Sequence, residues 1–130
     1  MTEQEGNAMI TAQTVLFRLR QLVTLDSEGA ENVLPLCGLC LEETRAKLKA
    51  DADKNDPRIA QAAAGLAYYR TVLRNAADSE GTTSFKAGDV TVTRTPAAML
   101  EIAAQVRDDA FIQAADLFVD RDFIFRQVGI

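Results

Sequence analysis

The chain has 130 residues, room for one ordinary domain with its own core, and a 48% hydrophobic, 25% charged composition that excludes a wholly disordered polymer. A formal net charge of −5 argues against a basic face that grips nucleic acid, and the absence of histidine removes the commonest general base. No stretch approaches the roughly 20 apolar residues of a membrane span. The start, Met1 to Asn7, has Glu3 and Glu5 but no cation, so a signal peptide is not expected.

Residues 1–10 read as a flexible, polar N-terminus. A single helical domain is expected over 11–130. Its first helix starts at Thr11, a usable N-cap, and carries Val15, Leu16, Leu19, Leu22 and Val23 at helical spacing. Arg18 and Arg20 fall towards its polar side. Asp26-Ser27-Glu28-Gly29 reads as a loop.

A second helix is expected over about 30–50, capped by Ser27 or a neighbour. Val33, Cys37, Cys40, Thr44 and Leu48 form its apolar stripe. Pro35 argues for a late start, because proline inside a helix removes a backbone donor. Asp56-Pro57 is the clearest start signal in the chain, a cap followed by a proline at the first helical position. The third helix then runs to about Ala77, with Ile59, Ala63, Leu66, Tyr69 and Leu73 on one side. Its middle, Ala60 to Ala67, is rich in alanine and holds Gly65, so another helix can approach closely.

After a loop over 78–82 the period changes from helical to alternating. A β-hairpin is expected over about 83–93, turning at Ala87-Gly88 with Phe85 opposite Val90. Thr95-Pro96 repeats the cap-plus-proline signal and opens a long helix to about Phe118. Met99, Ile102, Ala103, Val106, Ala110, Ala114 and Leu117 make its stripe. The last stretch, residues 119–130, is apolar and aromatic, with Phe123, Ile124, Phe125 and Val128. These side chains either fold back onto the chain's own helices or insert into a neighbour, and the sequence leaves both open. The expected fold class is mainly α: about four helices in a small bundle, with one β-hairpin inserted before the last long helix.

Few residues suggest chemistry. Cys37 and Cys40 match a CxxC spacing, but they share a helical stripe rather than a thioredoxin-like turn, so core packing is the expected role. A zinc site needs four ligands, and the chain has no further cysteine and no histidine. The acidic groups Glu42-Glu43, Asp51-Asp53-Asp56 and Asp108-Asp109 read as solvated faces and caps. There is no phosphate-binding glycine loop and no nucleophile elbow. Catalytic residues, cofactors and metals are therefore not expected, and the candidate residues are contact residues. Gly88 supplies the hairpin turn, and Phe85, Lys86 and Asp89 form a projecting tip. Tyr68 and Tyr69 cannot share one helical line, so one is core and the other is a surface anchor. Phe123, Phe125 and Val128 complete the set.

The order of features carries a resemblance. Asp56-Pro57-Arg58 leads into Ala62-Ala63-Ala64-Gly65-Leu66-Ala67-Tyr68-Tyr69-Arg70, then Ser84-Phe85-Lys86-Ala87-Gly88-Asp89-Val90-Thr91-Val92, and the chain ends near Phe123-Ile124-Phe125-Arg126. This pattern resembles the head–tail connector (adaptor) proteins of tailed phages and prophages, most strongly over 56–92. The resemblance implies a structural, non-catalytic subunit in a ring of about a dozen copies, docked between portal and tail-side proteins. It also implies assembly in a bacterial cytoplasm and residence in a virion; from the acidic charge and the lack of a spanning or basic surface helix, no sequence-specific nucleic-acid binding and no membrane partner are expected. The alternative is a small acidic helical protein-binding or regulatory module of a bacterial cytosol.

Overall fold

The computed structural model describes residues 9–78, 83–87 and 90–119, with the backbone alone for 77, 78, 83–87 and 90–94. Four α-helices build the domain: α1 (Ala12–Leu19), α2 (Ser27–Arg45), α3 (Pro57–Asp78) and α4 (Pro96–Gln113). Two short strands, β1 (Thr83–Ala87) and β2 (Val90–Arg94), lie between α3 and α4 in sequence, and a 3-10 turn, Ala115–Leu117, follows α4. No helix among the described residues is long and apolar enough to cross a membrane.

The helices begin where local chemistry starts them. Asp56 Oδ1 accepts from the Arg58 amide at 2.9 Å, and Thr95 Oγ1 accepts from the Ala98 amide at 3.2 Å. Each of these caps is followed by a proline that suits a first helical position. The cap of α2 is Asp26, the neighbour of Ser27: its Oδ1 accepts from the Gly29 amide at 2.7 Å. The helix therefore starts earlier than expected and runs through Pro35. Pro35 and Glu31 are both exposed, so the Glu31 carbonyl deprived of its intrahelical donor can turn to water. Ile10, placed in sequence within the flexible stretch, is buried and held at both ends: its amide donates to Asn55 Oδ1 at 3.3 Å, and its carbonyl accepts from Arg45 Nη2 at 2.6 Å.

Helix α3 is the axis of the bundle, packing on α1, α2 and α4. It runs antiparallel to α4, with Arg58 near Gln113 at one end and Val72 and Ala76 near Pro96 and Met99 at the other. This central place corrects the expected core face. Ala60, Ala62, Ala63, Ala64, Ala67, Tyr68 and Val72 are buried, whereas Leu66 and Tyr69 are half-buried and Leu73 is exposed. A helix enclosed on three sides has no single stripe, and small side chains let its neighbours come close. At Gly65 an added Cβ would stand 3.2 Å from the Arg107 Cα and 3.3 Å from the Ala110 Cβ. Glycine at that position sets the α3–α4 separation.

The second and fourth helices both end earlier than expected, at Arg45 and Gln113. Beyond each end the chain turns, and Leu48 then pairs with Phe118 in an isolated antiparallel bridge. The Lys49 amide donates to the Leu117 carbonyl at 2.9 Å, and the Val119 amide to the Lys47 carbonyl at 3.0 Å. Phe118 is fully buried and stacks on Phe111, with ring centroids 5.6 Å apart. This closure bolts the end of the described chain to the end of α2.

The expected fold class needs correction at its hairpin. The domain is an all-α bundle of four helices, and the hairpin drawn with an Ala87-Gly88 turn and a Phe85–Val90 pair is not found. The backbone register instead sets Ala87 opposite Val90 and Phe85 opposite Val92. The pairing therefore slips by two residues, and Gly88-Asp89 connects the strands. The strands pack chiefly on each other, not as a layer of the bundle.

Candidate assembly interface

The bundle's cations are largely engaged in holding it together. Arg70 on α3 grips Glu43 on α2 with two hydrogen bonds, Nη1 to Oε2 at 2.8 Å and Nη2 to Oε1 at 2.7 Å. That pairing holds the Glu43 carboxyl below the usual carboxylate range. Arg58 joins the start of α3 to the end of α4: it donates to Asp56, to the Gln113 carbonyl and to Asp116 Oδ1, the last at 2.8 Å. Arg58 likewise holds Asp56 below its ordinary range. Arg18 Nη1 donates to Gln61 Oε1 at 2.9 Å and ties α1 to α3. Arg107, nearly buried, lies over the Tyr69 ring at 4.2 Å, and its Nε donates to Asp108 Oδ1 at 3.0 Å. A guanidinium committed to a neighbouring helix is a fastener, and these contacts account for most of the cations in the bundle's middle.

Cys37 and Cys40 are both free and fully buried on the inner face of α2. Burial pushes both thiols up to about 11, although Arg70, with Nη1 3.8 Å from Cys40 Sγ, pulls Cys40 the other way. A thiol held protonated in an apolar wall is a poor nucleophile. Thr44, also buried, satisfies its hydroxyl by donating to the Cys40 carbonyl at 2.8 Å. Among the described residues, no three carboxylates or thiols converge as metal ligands.

Two hollows are notable. One, of about 30 Å³, is lined by Val72, Asn75, Ala76, Pro96 and Met99, where the end of α3 lies against the start of α4. It has room for little more than one water. The other, of about 170 Å³, is a shallow groove on the outer side of α1 lined by Gln13, Leu16, Phe17 and Arg20. Leu16 is buried at its floor, while Phe17 is 66% exposed.

Of the contact residues expected from sequence, Tyr68 has its side chain among the described residues. Tyr68 is 6% exposed and belongs to the core, because its position on α3 turns it into the bundle. The outer tyrosine is Tyr69, half covered by Arg107. Phe85 and Lys86 lie on β1, where the backbone alone is described. Gly88, Asp89, Phe123, Phe125 and Val128 lie outside the described residues. The groove beside Phe17 was missed by sequence reasoning. Phe17 sits off the Val15–Leu16–Leu19 stripe, and a large aromatic on a polar helical side was the available signal.

Comparison with protein-family models, with curated proteins and with solved structures gave no match. The class defined by the fold is a small all-α bundle of four helices.

Proposed function

We propose that this protein is a structural, non-catalytic subunit of a phage or prophage head–tail connector, self-associating into a ring and docking between portal and tail-side proteins. The observation that carries this reading is Phe17, a large aromatic left 66% exposed on α1. The sequence after Val119 adds Phe123, Ile124, Phe125 and Val128 to the apolar residues available for contact. Exposed large apolar side chains mark contact surfaces. The inward-facing thiols and interlocked arginines favour a scaffold over a catalyst. In this reading the protein assembles in a bacterial cytoplasm, needs no cofactor and ends in the virion.

Deleting residues 119–130 tests the reading against a cytosolic regulatory module that uses the same segment as a lid on its own core. The connector reading expects loss of assembly with helical circular dichroism retained. A deletion that leaves assembly intact, or that mainly lowers the melting temperature of a monomer, overturns it.

A further inference from the structure

We infer that the exposed side of α1 docks antiparallel on the exposed side of α4 in a second copy of this chain, with Phe17 against Ile112 and Arg20 against Asp109; this rests on the connector reading above and names the faces through which its subunits join. Both are helical sides that the bundle leaves open. On α1 and its C-cap, Gln13, Phe17 and Arg20 are exposed at spacings of four and three residues. On α4, Glu101, Gln105, Asp109 and Ile112 are exposed at spacings of four, four and three. Such spacings set each group in one row along its helix. Ile112 is 45% exposed, a large apolar side chain among polar ones, as Phe17 is on α1.

The two rows carry opposite charge. Arg18 and Arg20 are the only charged residues from Gly6 to Leu25, so the α1 side is positive within an acidic protein. Arg20 gives one hydrogen bond, from Nη2 to the Leu25 carbonyl at 3.1 Å, out of the five donors a guanidinium holds. Helix α4 has a single cation, Arg107, nearly buried against Tyr69 and Asp108. The exposed charges of α4 are therefore Glu101 and Asp109, both acidic. Among the described residues, Arg20, Glu101 and Asp109 take part in no ion pair.

The spacing fixes the direction. Arg20 lies three residues after Phe17, and Asp109 lies three before Ile112. Laid antiparallel, Phe17 meets Ile112 and Arg20 meets Asp109, the two contacts about 4.5 Å apart along the axis. Laid parallel, Arg20 would fall instead at Ala115, which is buried. The antiparallel setting also brings opposite ends of the two helix dipoles together. Helices α1 and α4 each pack on α3 but scarcely on each other, and both rows point away from the bundle, so they cannot meet within one chain. Two different faces make a heterologous contact, which repeated around an axis closes into a ring.

The test follows particle mass by light scattering across a wide concentration range, in the full-length protein, for Arg20→Glu, for Asp109→Arg and for an equimolar mixture of the two. Either variant alone sets like charges against each other at every joint, which is expected to raise the concentration needed for assembly by about tenfold. In the mixture every joint between unlike copies pairs opposite charges again, so mixing restores the wild-type mass. A short bismaleimide added to an equimolar mixture of Phe17→Cys and Ile112→Cys reads the same joint independently, giving cross-linked dimers in the mixture and none in either variant alone. Variants that assemble like the wild type, or a mixture that neither recovers nor cross-links, overturn this interface and leave the connector reading standing. A wild type that stays monomeric at every concentration also overturns it, and the connector reading falls as well where a portal ring leaves the chain monomeric.

Discussion

Cys37 and Cys40 show how burial changes what a motif means. The same spacing that serves redox chemistry at a helix N-terminus here lies on the inner face of α2, with both thiols raised to about 11. Alkylation of the folded protein at pH 8 is expected to be slower than that of a free thiol by about a hundredfold or more, since the thiolate is the reacting form. Labelling at the free-thiol rate under native conditions would contradict that placement. Glu43 gives the acid-side counterpart. Its carboxyl is depressed by the Arg70 hydrogen bonds, so its contribution is complete above the ordinary glutamate range and is lost as pH falls through the lowered folded value. The pair is partly exposed, which keeps the effect small. Thermal melts of the wild type and Arg70→Met should differ at neutral pH and converge in acid; a constant gap down to the lowest pH would assign the loss to packing alone.

At the scale of elements, the helix starts were legible and the ends were not. Asp56-Pro57 and Thr95-Pro96 carry their cap and first-turn proline side by side, so local sequence was enough. The ends of α2 and α4 depend on the bridge between Leu48 and Phe118, residues far apart in the chain, and no local signal announces it. The inner face of α3 was obscured for a related reason: three helices pack on it, and alanines fill a face that a search for large apolar residues passes over. Arg107 was missed because a nearly buried arginine looks like a surface residue until Tyr69 and Asp108 receive it. The bridge also yields a direct test. Phe118→Ala should cost about 3–5 kcal/mol, as for other large aromatics removed from a core, lowering the melting temperature by on the order of 10–15 °C. A loss under about 1 kcal/mol would mean that the closure at Leu48 contributes little.

For the whole molecule, the helical bundle could be anticipated from the sequence, while the strand register and the groove on α1 came only with the structure. The two strands, five residues each, form a ladder of the kind that is marginal in water without further support. Phe17 on α1 is exposed rather than part of the core. An assembly would give those residues partners. The most direct test is the particle mass of the full-length protein across a wide concentration range, by light scattering with negative-stain microscopy, alone and mixed with a portal ring. The account predicts closed rings of about a dozen 14.2 kDa chains. A monomer or dimer at every concentration, with no binding to the portal, would contradict it.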